Sequence, residues 1–125
     1  MFSIKSIDHI VLRTNRFKQM LEFYCNVLGG TVEKEQPALR LTQIRMGDNL
    51  VDLVEVDNPL VENNPNLDHF CLRISPFDLE SLTKYLEQHN IIITEQGMRY
   101  GAQGMGYSIY IKDPQGNGIE LREVK

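Results

Sequence analysis

The chain repeats itself, and this constrains its fold more than any other feature. Residues 7–14 read IDHIVLRT and residues 67–74 read LDHFCLRI, so Asp8, His9, Leu12 and Arg13 recur as Asp68, His69, Leu72 and Arg73 at an offset of 60. Residues 49–56 (NLVDLVEV) and 117–124 (NGIELREV) match in the same way at an offset of 68. Asn49, Leu53, Glu55 and Val56 recur as Asn117, Leu121, Glu123 and Val124, and Asp52 falls on Glu120. Such self-similarity means two copies of one supersecondary unit. The changed offset implies eight extra residues in the second copy, and the Gly-rich stretch 99–106 is the candidate insertion. The 125 residues then read as one domain of two modules, about 4–57 and 67–125, joined by a Pro- and Asn-rich linker at 58–66. Each module alone is small for a stable core.

The order of elements also repeats. Residues 7–13 are apolar and β-branched, which predicts a strand. Phe17, Met20, Leu21, Tyr24 and Leu28 follow helical spacing, with Thr14 or Asn15 as cap and Gly29-Gly30 as stop. Strands are expected near 31–35, 39–46 and 49–56. In the second copy a strand at 67–74 precedes a helix capped by Ser75, with Pro76 at its first position and Leu79, Leu82 and Leu86 on its apolar face. Asn90 is the expected stop, and strands near 91–95, 107–112 and 117–124 follow, the last two joined by the turn Asp113-Pro-Gln-Gly-Asn117. The fold class is therefore α+β, built from two tandem βαβββ modules with mixed sheets.

Strand side chains alternate between faces. His9, Val11 and Arg13 share one face of the first strand; His69, Cys71 and Arg73 share the matching one. Asp52 and Glu120 belong to the polar faces of the closing strands, while Val51, Leu53, Ile119 and Leu121 form apolar faces suited to burial under a helix. A polar sheet face is ordinarily a solvated one. Solvation gives no reason, however, to set His against His and Asp against Glu across a repeat. Two curved half-sheets facing each other would gather both pairs around a cavity, and two imidazoles with two carboxylates suit a divalent first-row metal.

Composition excludes several alternatives. With 13 Lys and Arg against 17 Asp and Glu, the net charge of −4 disfavours nucleic acid and anionic membranes as partners. Two cysteines, Cys25 and Cys71, without a CxxC pair, exclude a disulfide framework and a Cys-rich zinc site. No apolar run approaches a membrane span, and the beginning of the chain does not read as a signal peptide, so a cytoplasmic setting is expected.

These motifs resemble the vicinal oxygen chelate superfamily, which includes glyoxalase I, extradiol dioxygenases, fosfomycin-inactivating enzymes and bleomycin-resistance proteins. The resemblance rests on IDHIVLRT at 7–14, LEFYCNVLGG at 21–30, LDHFCLRI at 67–74 and YSIYIKDPQGNGIELRE at 107–123. The last is similar to the family's closing DPDGNxxEL pattern, with Gln115 in an acidic place. The resemblance implies paired βαβββ modules curving around a metal. It implies His9, His69 and Glu120 as ligands, with Asp52 where glyoxalase-type members carry a fourth ligand, generally Glu. The metal would be Ni, Zn, Mn, Fe or Co.

The activity so implied is a glyoxalase-like lyase or isomerase acting on a 2-oxoaldehyde–thiol hemithioacetal. Metal-assisted enediolate stabilisation would accompany proton transfer by Glu120, with Asp52 as the alternate base. Arg13 matches a position that contacts the thiol's carboxylate; its bland reading is a salt bridge. Arg73 and Arg122 on the polar faces, and Arg99 and Tyr100 of the Gly-rich stretch, are further substrate-binding candidates. That stretch reads as an ordinary hairpin insertion or as a lid. The alternatives are a non-haem Fe(II) extradiol-type dioxygenase, if Asp52 does not ligate, and a metal-free antibiotic-binding protein. A fosfomycin-type transferase lacks the expected cluster of Lys, Ser and Tyr. Cys71 reads as a structural thiol, and His89 as a partner of its helix C-terminus. Phe23 and Tyr24 cannot both face the sheet of a regular helix, which leaves one for a homodimer interface. The expected partners are a small-molecule substrate and a second copy of the chain.

Overall fold

Period-two alternation builds two four-stranded sheets with the same strand order. The structure, a computed structural model, describes residues 1, 3–58 and 66–124. The chain divides into two compact units at residue 61, inside the predicted linker, most of which lies outside the described residues. In the first unit β1 (His9–Thr14), β2 (Thr31–Gln36), β3 (Leu41–Met46) and β4 (Asn49–Glu55) pair in the order β1-β4-β3-β2. In the second, β5 (His69–Ile74), β6 (Glu95–Gly101), β7 (Gly104–Lys112) and β8 (Gly118–Glu123) pair in the order β5-β8-β7-β6. The histidine strand of each unit runs parallel to its carboxylate strand, and the remaining pairs are antiparallel. Each unit is therefore one βαβββ module, and the α+β reading holds.

The apolar faces are buried as the alternation requires. Leu12, Ile44, Val51 and Leu53 form the first core with Met20, Phe23 and Tyr24 of the helix. Ile109, Ile111, Ile119 and Leu121 form the second with Leu86. Full burial of each such side chain contributes about 1.5–3 kcal/mol.

The helices depart from expectation in two places. The first is α-helical only over α1 (Phe17–Leu21) and continues as a π-helix over Glu22–Val27. Its wider i→i+5 turn carries Phe23 and Tyr24 onto the same side. Both rings are buried, edge-to-face with centroids 5.1 Å apart, so neither is left outside for a partner as the regular-helix reading required. Thr14 contributes to the helix start by accepting the Arg16 N–H at 2.8 Å. The second helix, α2 (Leu79–Gln88), begins at Asp78 rather than Ser75, because the Asp78 carboxylate accepts the Ser81 N–H and caps the helix. Asn90 ends it in the left-handed region at φ 60°.

The β6–β7 hairpin also differs. Residues 91–93 are apolar but stand outside the strand, Thr94 N–H donates to the Tyr110 carbonyl at 2.8 Å, and β6 begins at Glu95. The extra residues of the second copy lengthen both strands, to 7 and 9 residues against 6 and 6 in the first copy. The Gly-rich stretch is thus mostly strand, closed by the short turn Ala102-Gln103. The stretch has the form of the hairpin alternative.

Candidate active site

Each module presents one histidine and one carboxylate on the polar face of its sheet. In the first, β1 and β4 pair Val11 with Asp52, which sets His9 one step diagonal to the carboxylate. In the second, Cys71 pairs with Glu120 and His69 with Gly118, the same diagonal. Asp52 and Glu120 are 2% and 7% exposed, whereas both histidines open to solvent.

The preceding aspartates orient the two imidazoles. His9 Nδ1–H donates to Asp8 Oδ2 at 2.7 Å, and His69 Nδ1–H donates to Asp68 Oδ2 at 2.6 Å. A carboxylate accepts only, so the hydrogen sits on Nδ1 and Nε2 keeps its lone pair for a metal. The Asp8 hydrogen bond raises the His9 pKa; loss of hydration opposes this, and the charges of Asp52 and Asp8 add to it.

The two carboxylates have unlike surroundings. Gln43 donates to Asp52 Oδ2 at 3.3 Å, whereas Asp52 Oδ1 is buried with no hydrogen-bond partner among the described residues. A buried anionic oxygen without a donor is costly, and a cation relieves it. Glu120 Oε1 accepts from Ser108 Oγ at 2.6 Å and lies 3.7 Å from Arg122 Nη1. Its Oε2 faces His69 Nε2 at 3.4 Å. Two ligands of a tetrahedral zinc-like cation, each at 2.0–2.1 Å, lie about 3.3 Å apart, so this pair has the spacing of two donors on one metal. The donor types, the open Nε2 atoms and the orphaned Asp52 oxygen all fit a divalent cation. Each module by itself holds one pair; among the described residues no three His, Cys, Asp or Glu side chains form a group able to hold a metal.

The arginines divide. Arg13 and Arg73 are exposed on the histidine strands. Arg99 pairs with Glu95 at 2.6 Å and places its guanidinium 5.6 Å from the Tyr110 ring centroid, while Tyr100 is 82% exposed on the hairpin. Arg122 is 4% exposed and its guanidinium is taken up inside the hairpin. Cys71 still opens to solvent, but partial burial and the neighbouring Glu120 push its thiol up to about 11. It is protonated near neutrality and is no nucleophile there. His89 lies against Tyr85 at the end of α2, the rings tilted by 56° with centroids 4.7 Å apart.

Several contributors escaped sequence reasoning. Tyr110 pairs with Glu120 across β7 and β8 and meets the His69 ring edge-to-face at 5.6 Å. Burial, then the charge and hydrogen bond of Glu120, raise the Tyr110 pKa, with Arg99 opposing. Gln43 is its counterpart in the first module, paired with Asp52. Alternation in Tyr107-Ser-Ile-Tyr-Ile111 carried the signal for Ser108 and Tyr110, and the repeated Asp-His dipeptide carried it for Asp8 and Asp68.

Known proteins share this fold. The chain is 26% identical over 117 residues to biphenyl-2,3-diol 1,2-dioxygenase 2 of Rhodococcus globerulus, covering 91% of this chain and 60% of that one. It thus spans less than two thirds of that relative. The integron cassette protein VCH_CASS1 of V. cholerae superposes with a TM-score of 0.81 at 25% identity, over 100% of this chain and 99% of that one. A lactoylglutathione lyase from Agrobacterium tumefaciens shares the fold with a TM-score of 0.70 at 22% identity, over 96% and 94% of the two chains. The family model for the glyoxalase/bleomycin resistance protein/dioxygenase superfamily matches residues 6–121, and the chain belongs to that superfamily.

Proposed function

We propose that this chain is a metal-dependent enzyme of the glyoxalase type, isomerising a hemithioacetal of a 2-oxoaldehyde and a thiol, or a similar substrate with neighbouring oxygens. The proposed ligands are His9 and Asp52 of the first module and His69 and Glu120 of the second, the imidazoles acting through Nε2. The observation that carries this reading is the orphaned Asp52 Oδ1. It supports Asp52 as a fourth ligand, despite a side chain one methylene shorter than Glu, and two imidazoles with two carboxylates distinguish the lyase reading from a three-ligand oxygenase. When bound, the cation supplies Lewis-acid polarisation of the substrate oxygens.

The chain's own residues handle the proton. Ser108 holds the Glu120 carboxylate through Oε1, and that carboxylate, with Asp52 as the alternate, takes the proton from the hemithioacetal carbon and returns it to the adjacent carbonyl carbon. One C–H bond breaks and one forms, the hydroxyl proton moves to the neighbouring oxygen, and the product is a 2-hydroxy thioester with no change in overall oxidation state. Arg13 and Arg73, exposed on the histidine strands, are the candidates to meet a substrate carboxylate.

The dioxygenase name of one relative favours a second reading, Fe(II)-dependent ring cleavage, in which Asp52 does not ligate. The test is to load the protein separately with Ni, Zn, Mn, Co and Fe(II). Thioester formation from methylglyoxal with a panel of thiols is then followed beside O₂ uptake with catechols. Thioester formation that disappears in Glu120→Gln supports the lyase. O₂ uptake with Fe(II) and no thioester with any metal overturns it in favour of the oxygenase.

A further inference from the structure

Arg122 is a buried cation that the proposed reaction does not use. Its guanidinium lies across the backbone of the β6–β7 hairpin, where Nη2 donates to the Arg99 carbonyl at 2.9 Å and to the Gly104 carbonyl. Nη1 donates to Ser108 Oγ at 3.5 Å, and Ser108 Oγ–H donates to Glu120 Oε1 at 2.6 Å. The glycines make room for it. A Cβ on Gly101 would stand 3.0 Å from Arg122 Cζ, and one on Gly106 would stand 3.0 Å from Nη2. The inserted Gly-rich hairpin is therefore the seat of this side chain.

The first module lacks the device. The residues in register with Arg122 and Ser108 are Val54 and Leu41, both apolar. Asp52 accordingly keeps one oxygen without a partner among the described residues, while Glu120 Oε1 accepts from Ser108. The repeat produced two equivalent carboxylates, and the hairpin made one of them different.

We infer that Arg122, acting through Ser108, is a positioning residue that makes Glu120 a one-oxygen ligand. With Oε1 held by a hydroxyl and faced by a guanidinium, only Oε2 is presented beside His69 Nε2. The carboxylate is thereby kept from gripping a cation with both oxygens. This inference rests on the proposed metal site.

The test is Co(II) titration of the whole chain, followed by the visible absorption of the bound ion, with thermal unfolding of the metal-free protein alongside. Removal of a residue that orients a ligand weakens metal affinity by about 10- to 100-fold. Ser108→Ala, Arg122→Met and Gly106→Ala should each lose affinity in that range and shift the Co(II) bands, while Arg122→Lys recovers part of both. Replacing Arg122 or Gly106 disturbs packing, so Ser108→Ala, the smallest change, is decisive. If Ser108→Ala binds Co(II) with wild-type affinity and an unchanged spectrum, the inference is overturned and the proposed metal site survives. If the wild type takes up no Co(II), the metal site is overturned and the inference goes with it.

Discussion

Asn117 Oδ1 accepts the backbone N–H of Asn66 at 3.1 Å, which ties the turn before β8 to the chain just ahead of Asp68 and His69. Asn117 is fully buried and also donates to Asp113, whose other oxygen accepts the Gln115 and Asn117 N–H groups. Its repeat counterpart Asn49 donates to the carbonyls of Ile7 and Asp8, ahead of His9. Both asparagines thus fasten a histidine strand beside its carboxylate strand. Asn117→Ala leaves buried groups unpaired, which costs about 1–3 kcal/mol each. Urea unfolding should show a loss in that range or above, with an unchanged slope. A midpoint equal to the wild type would remove Asn117 from this role.

Gly118 reports how closely β5 lies on β8. A Cβ there would overlap the Asp68 carbonyl oxygen and stand 2.9 Å from His69 Cβ. The obstacle is mostly backbone, so the strands must part rather than a side chain rotate. Overpacking of this kind costs about 1–3 kcal/mol. Gly118→Ala should lose that much stability and also move His69, weakening Co(II) binding more than Gly47→Ala, whose added Cβ meets nothing within 4 Å and whose only cost is backbone strain at φ 66°. Equal metal affinity in the two variants would show that His69 tolerates the displacement.

Cys71 gives a pH-dependent readout beside Glu120. Its thiol, pushed up to about 11 by burial and by that carboxylate, holds a raised value, so the reactive thiolate forms only in base. In the metal-free protein, alkylation of Cys71 by iodoacetamide should be very slow at pH 7.5. It should rise about tenfold per pH unit up to pH 10, as the thiolate fraction does. Replacing Glu120 by Gln removes an adjacent negative charge, lowers the thiol pKa and speeds the reaction at fixed pH. Peptide mass mapping separates Cys71 from Cys25. A rate that levels off below pH 9 would contradict this assignment.

The repeat makes most of the architecture legible in the sequence. Alternation about Asp52 and Glu120 placed Val51, Leu53, Ile119 and Leu121 in the cores, because a strand's two faces are fixed by parity alone. What escaped depends on interactions that parity does not encode. The burial of both Phe23 and Tyr24 follows from i→i+5 bonding, which the helical period conceals. Ser75 and Asp78 are both competent caps three residues apart, and only the Asp78 contact with Ser81 selects between them. Arg122 read as a substrate contact because alternation puts it on the polar face. That its guanidinium turns into the hairpin depends on glycines some twenty positions earlier, whose spacing suggested flexibility rather than a seat.

The orphaned oxygen of Asp52 makes the metal separable from the fold. In the metal-free protein this buried carboxylate has one unpartnered oxygen, so neutralising it should not destabilise and should even stabilise. Asp52→Asn keeps the shape and can keep the Gln43 contact through its own carbonyl. Its melting temperature without metal should therefore equal or exceed that of the wild type. A ligand that binds only the folded state stabilises by about 2.7 kcal/mol when present at 100 times its Kd. Wild-type protein with Ni(II) or Co(II) at that excess should melt several degrees higher than without. Asp52→Asn, at the same metal concentration, should lose most of that increment because one anionic donor is gone. The pair of melts, with and without metal, separates the two roles Asp52 could have. A variant that is destabilised without metal yet keeps the full increment would make Asp52 a structural carboxylate and return the site to three ligands, the arrangement of the oxygenase reading.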